Sequence, residues 1–127
     1  MGEQQFLVDI GEVDALDVWG ETVQARAIVG ANASLALVEL AAGALVPGHQ
    51  HVHEQIGMCV TGSITFTVGD ETRELGPGGT WRIPSNLPHH AVAGPGGAVV
   101  VDIFAPARTD WSALPRSAPR DGRWPPG

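Results

Sequence analysis

A chain of 127 residues with 43% hydrophobic composition is long enough for one domain with a sizeable core, and its single cysteine, Cys59, excludes an intramolecular disulfide. A formal net charge of -7 with a pI near 5.0 argues against a nucleic-acid partner, because phosphate binding needs a clustered excess of Lys and Arg. No apolar run approaches the roughly 20 residues of a membrane-spanning helix, and no charged segment followed by an apolar one opens the chain, so a cytoplasmic protein with no membrane partner is expected.

Six of the 14 acidic residues fall between Glu3 and Glu21, whereas Arg108, Arg116, Arg120 and Arg123 supply four of the seven basic ones. The two ends therefore carry opposite charge and could attract each other, either as solvated segments or with a terminus packed across a subunit boundary. Between them, seventeen Gly and ten Pro punctuate short apolar runs, the pattern of an all-β sandwich or barrel. Strands are expected at Gln5 to Asp9, Val23 to Val29, Ser34 to Leu40, His49 to Gln55, Gly57 to Thr61 and Ser63 to Val68. Further strands are expected at Glu71 to Leu75, Thr80 to Ile83, His89 to Ala93 and Ala98 to Phe104. The clearest hairpin joins Ser63–Val68 to Glu71–Leu75: Ile64, Phe66 and Val68 alternate with Thr65 and Thr67 before a two-residue Gly69-Asp70 turn. After Phe104 the prolines Pro106, Pro115, Pro119, Pro125 and Pro126 discourage strand pairing. A domain over residues 1–110 and a Pro/Arg-rich tail over 111–127, anchored by Trp111 and Trp124, follow.

All five histidines lie in two short clusters, His49, His51 and His53 before Gln55, and His89-His90 after Pro88. In an extended strand His49, His51, His53 and Gln55 project to one face, and Gln50, Val52 and Glu54 to the other. Two imidazoles two residues apart can grip one ion, and a third ligand must come from another strand, for which His89 is the candidate. His90 should point away from His89.

These clusters carry a resemblance to the cupins. Gly43, His49, His51, Gln55 and Gly62 fall on the family's first motif over residues 43–62, and Gly78, Pro84 and His89 fall on its second over 78–93. Two departures stand out: Gln55 occupies the usual Glu position, and Ala93 the usual Asn position. The resemblance implies a double-stranded β-helix, the jelly-roll barrel, holding one divalent ion through His49, His51, Gln55 and His89. His53 either lines the cavity or takes the place of Gln55. Imidazole suits Zn, Fe, Ni and Cu alike, so the ion's identity stays open, with Zn, Ni, Fe or Mn expected. With no anionic ligand in the set, the ion would keep its full charge for Lewis-acid work. Cys59, with no basic neighbour in sequence, reads as a packed thiol.

In the last apolar run, Val99 to Phe104, Asp102 is a lone carboxylate, either solvated or facing inward beside the metal. The run from Asp102 to Asp110, with His51 to Gln55 and Pro84 to His89, is similar to the pectin-degradation cupins that open unsaturated uronates to linear keto sugars. By that resemblance Asp102 is an acid/base group, Phe104 a wall against the sugar ring and Arg108 a carboxylate clamp. Phe66 and Trp81 would complete the substrate wall. The expected activity is ring opening or isomerisation of a small-molecule substrate without redox change. A polyketide cyclase, with Ile64, Phe66, Met58 and Trp81 as apolar wall, an Fe(II) dioxygenase and a non-enzymatic small-molecule-binding cupin are the alternatives. A homodimer is expected, because exposed barrel edges invite pairing.

Overall fold

The computed structural model describes residues 5–118 and 124–126. Among these described residues nine strands follow one another: β1 (Ala15–Asp17), β2 (Val23–Val29), β3 (Ser34–Leu40), β4 (Leu45–His49), β5 (Glu54–Val68), β6 (Glu71–Leu75), β7 (Thr80–Ile83), β8 (His89–Ala105) and β9 (Arg116–Ser117). Short 3-10 turns occupy Ile10–Glu12 and Thr109–Ala113. The sheet runs β6-β5-β8-β3-β2-β1-β9, with β4 added on β8 and β7 on β5, and every strand pair named here is antiparallel. This is the all-β jelly roll expected from the sequence. Among the described residues no helix is long and apolar enough to cross a membrane.

The strands differ from the sequence expectation where glycine lets one run into the next. Gly57–Thr61 and Ser63–Val68 are both parts of β5, and His89–Ala93 and Ala98–Phe104 are both parts of β8. These two long strands pair with each other from Glu54↔Ala105 to Val68↔His89, with irregularities between Cys59 and Thr61 and between Gly62 and Ile64. At the bend Gly62 and Gly97 both take positive φ, 77° and 75°, and a Cβ on Gly62 would strike the Gly97 carbonyl. Only glycine allows the two backbones to pass so closely there. The hairpin at Gly69-Asp70 is as expected, with Val68 opposite Glu71.

Three other segments depart from expectation. Gln5 to Asp9 forms no strand: Phe6 and Leu7 are 90% and 88% exposed, with no apolar face to bury against. His49 to Gln55 is not one strand either. β4 ends at His49, opposite the first residue of β8, and the chain crosses residues 50–53 as a loop before β5 begins. Finally, Arg116–Ser117, in the stretch where prolines were expected to discourage pairing, adds a short strand to the sheet. Trp111 is 6% exposed within the core, as an anchor should be, and Arg116 and Ser117 pair with Leu16 and Ala15. The oppositely charged ends thus meet, through Arg116 and Asp14 at 3.6 Å, although this exposed pair contributes little stability. Arg120 and Arg123 lie outside the described residues.

Alternation along β5 and β8 sets what the barrel encloses. Gln55, Gly57 and Cys59 face inward while Ile56 and Met58 face out, and Asp102 and Phe104 face inward while Ile103 faces out. Met58, expected in a cavity wall, instead lies on the outer face. There the register aligns Leu35, Ile103 and Ile56 in one apolar row across three strands. Cys59 is fully buried, and desolvation raises its thiol pKa, as expected of an inert packed residue.

Candidate metal centre

The register His49↔His89 between β4 and β8 brings the two histidine clusters together. The loop after β4 then returns His51 to them, its carbonyl accepting a 2.8 Å hydrogen bond from the Asn86 backbone N–H. The ring centroids of His89 lie 4.3 Å from those of His49 and 4.9 Å from those of His51. Among the described residues, His49, His51 and His89 form a group whose donor atoms all lie within 4.8 Å of one another.

Each of the three rings is held the same way. The Nδ1–H groups of His49, His51 and His89 donate to the carbonyls of Pro47 (2.8 Å), His53 (2.9 Å) and Leu87 (2.8 Å). Backbone carbonyls only accept, so Nδ1 carries the proton and Nε2 presents its lone pair. The Nε2 atoms of His51 and His89 are buried without a hydrogen-bond partner. Burial pushes the pKa of His51 down to about 4, with the charge of Arg108 adding to the effect, and burial also lowers that of His89. Neutral imidazoles with unpaired, converging Nε2 atoms fit a divalent cation, which would satisfy the orphaned nitrogens.

Gln55 stands on the inward face of β5, 6% exposed, while Glu54 is exposed, as strand alternation requires. Its Nε2 donates to Oδ1 of Asp102 at 3.0 Å. A carboxylate can only accept, so the amide nitrogen faces Asp102 and Oε1 is turned the other way, available to a cation.

Asp102 is the inward carboxylate of β8. Its Oδ1 also accepts the indole N–H of Trp81 at 2.7 Å. This bond crosses β5 at Gly57, which the register places between Trp81 and Asp102. A Cβ at Gly57 would strike both the indole and the carboxylate, so the glycine is the gap through which they meet. Burial raises the Asp102 pKa to about 6, against the opposing hydrogen bonds from Gln55 and Trp81 and the charge of Arg108.

A cavity of about 90 Å³ is lined by the three imidazoles, Gln55, Asp102, Phe104 and Arg108, with Phe66 farther along its apolar wall. Trp81 and His53 are set back from it. Trp81 packs on Phe66 at 4.5 Å and serves Asp102, and His53 is 8% exposed with its Nε2 3.7 Å from Asp110. His90 is exposed, pointing away from His89 as expected. Arg108 lies over the rings of Phe104 (4.8 Å) and Trp111 (4.6 Å), and its backbone N–H donates to Ser34 Oγ at 2.8 Å.

Sequence reasoning missed Trp19, which lines the cavity and meets the His49 ring edge-on at 5.1 Å; nothing in its local pattern marks it. It also missed Gly57, although a glycine inside an otherwise branched strand is a signal of close approach.

Asp102 and His51 oppose each other in their pH dependence. Asp102 has its folded pKa raised from 3.8 to about 6, so its contribution to stability is lost as pH rises through that window. His51 has its folded pKa lowered from 6.5 to about 4, so its contribution is lost as pH falls through that window. In chelator-treated protein, Asp102→Asn should unmask the histidine slope. The stability of the variant relative to the wild type should rise by roughly 1.4 kcal/mol per pH unit between pH 4 and 6, as read from urea midpoints. A constant difference across that range would contradict the shift at Asp102.

Comparison with known proteins agrees with this geometry. A family model described as the cupin domain matches residues 36–104. The pectin degradation protein KdgF of Dickeya dadantii (strain 3937) is 33% identical over 75 residues, which cover 58% of this chain and 68% of that protein. The structure of KdgF from Halomonas sp. superposes with a TM-score of 0.74 at 31% identity, covering 84% of this chain and 96% of that one. An RmlC-like cupin from Shewanella frigidimarina NCIMB 400 superposes with a TM-score of 0.78 at 23% identity, covering 87% and 99% of the two chains, and supports the fold alone.

Proposed function

The chain belongs to the cupin family, and from that premise we propose that it is a metal-dependent enzyme that opens the ring of a small unsaturated sugar acid, a uronate, to a linear keto sugar. The observation that carries this reading is the convergence, in one cavity, of three imidazoles, two of them with buried and unpartnered Nε2 atoms, a carboxylate with pKa near 6 and an arginine. His49, His51 and His89 would hold a divalent ion, with Gln55 Oε1 as fourth ligand. Bound there, such an ion supplies Lewis acidity toward a substrate oxygen.

The chain's own groups supply the rest. Arg108 would bind the substrate carboxylate through paired N–H groups. Phe104 and Phe66 would pack against the sugar and exclude water. Asp102, its Oδ1 fixed by Trp81 and Gln55, keeps Oδ2 for proton exchange. With a pKa near neutrality it can take a proton from a ring hydroxyl as the ring C–O bond breaks and return it to carbon as the enol becomes a ketone. The net change is an isomerisation, with no oxidant required.

The competing readings have less support. The cavity carries Asp102 and Arg108, charged groups that suit a carboxylated sugar better than a polyketide. An Fe(II) oxygenase site includes a carboxylate ligand, and the carboxylate nearest this donor set, Asp102, is held by Trp81 and Gln55.

The test is direct. Protein loaded in turn with Zn, Ni, Mn and Fe(II) should convert an unsaturated galacturonate, with loss of its conjugated ultraviolet absorbance and appearance of the keto product by NMR. Arg108→Ala should raise KM by about tenfold or more for this substrate. No conversion with any of the four ions would overturn the proposal.

A further inference from the structure

Arg108 does not hold its place in the cavity wall by stacking alone. Asp110, two residues on in the 3-10 turn, accepts from its Nε at 3.1 Å and from its Nη2 at 3.0 Å, a bidentate pair along one side of the guanidinium. A guanidinium carries five N–H donors, and this pairing uses two of them. The remaining end, formed by Nη1 and the second Nη2 proton, is a complete fork for another carboxylate. Asp110 also reaches toward the metal side. Its Oδ1 lies 3.7 Å from His53 Nε2, and the His53 carbonyl accepts the Nδ1–H of His51. One carboxylate thus joins the anion-binding arginine to the loop that carries a metal-binding histidine.

We infer that Asp110 is a positioning residue that fixes Arg108 in its cavity-facing conformation and thereby sets the affinity for a carboxylated ligand. The inference rests on the sugar-acid reading above. Two effects compete: Asp110 partly neutralises the arginine, which weakens anion attraction, and it removes the rotamer freedom of a long side chain, which strengthens binding. The Asp110 side chain is 53% exposed, so solvent screens its charge, whereas the Arg108 side chain is only 11% exposed. Its ordering effect on Arg108 therefore prevails.

The experiment uses metal-loaded, full-length protein carrying Asp110→Asn or Asp110→Glu. Asp110→Asn should raise KM for the unsaturated uronate on the order of tenfold, with kcat within about twofold and metal content unchanged, and Asp110→Glu should recover much of the loss. The Arg108 Nε–H resonance, slow to exchange with solvent in the wild type, should exchange quickly in Asp110→Asn and slowly again in Asp110→Glu. An unchanged KM, a fall in kcat at constant KM, or an unaltered Arg108 resonance in Asp110→Asn overturns the inference. If the wild type converts no uronate, the sugar-acid reading fails by itself. Titration calorimetry with saturated galacturonate then decides the role of Asp110: weaker binding by Asp110→Asn supports it, and equal or absent binding overturns it.

Discussion

Asp102→Asn should reduce turnover by about 10² to 10⁴-fold while leaving the fold and the metal content intact, because the change removes a proton carrier and keeps its shape. The amide Oδ1 of asparagine can still accept from Trp81 and Gln55, the two bonds that orient the wild-type carboxylate at 2.7 and 3.0 Å. The variant should also be more stable. Burial holds the folded-state pKa near 6, roughly two units above its ordinary value, so an ionised Asp102 costs up to about 3 kcal/mol at pH 7. A carboxylate retained at that cost, in the final stretch of β8 beside the inward Ala98, Val100 and Phe104, fits a catalytic role better than a structural one. The check is paired: kcat on the uronate and the urea midpoint, measured on the same preparation. Unchanged turnover with raised stability would remove Asp102 from the chemistry, and lost turnover with lost stability would mean that the carboxylate serves folding.

Metal removal should have an effect of comparable size. Chelation should abolish activity and lower the melting temperature, and re-addition of a divalent ion at about 100 times its dissociation constant should restore roughly 2.7 kcal/mol of stability. The His49→Ala and His89→Ala double variant should lose that gain and hold no ion by elemental analysis. These two residues face each other across β4 and β8, and their rings are the nearest pair of the three, so the variant removes two donors from the site. A double variant that still gains stability from the ion would move the metal elsewhere. The Nε2 atoms of His51 and His89, buried and unpartnered, make metal-free protein the less stable form.

Much of this was legible in the chain itself because strand alternation is a local rule. The inward set Gln55, Gly57, Cys59 and the outward Glu54 and His90 follow from counting by twos, and the spacing of glycines, prolines and histidines marks the barrel and its histidine cluster. The same rule also misled where it was carried across a break. His49 and His51 share a site because the backbone leaves the sheet between them, not because one strand carries both. Met58 was expected in the wall on its apolar character, yet it shares the outward face of Ile56. Register between distant strands was not legible, since it depends on how β5 and β8 pass each other at Gly62 and Gly97. The register of β4 on β8 sets His49 against His89, and the registers of β5 on β7 and on β8 set Gly57 between Trp81 and Asp102.

The sequence by itself determined the fold class, the inward positions Gln55 and Cys59 of β5 and the histidines of the site, because side-chain period and residue chemistry are properties of neighbours along the chain. Only the tertiary structure decided that Trp81 serves Asp102 rather than the cavity wall, that Trp19 closes on His49, and that Asp110 grips Arg108. The first two contacts depend on distances across strands, which follow from the closing of the barrel, and the third depends on the 3-10 turn that brings Asp110 back onto Arg108.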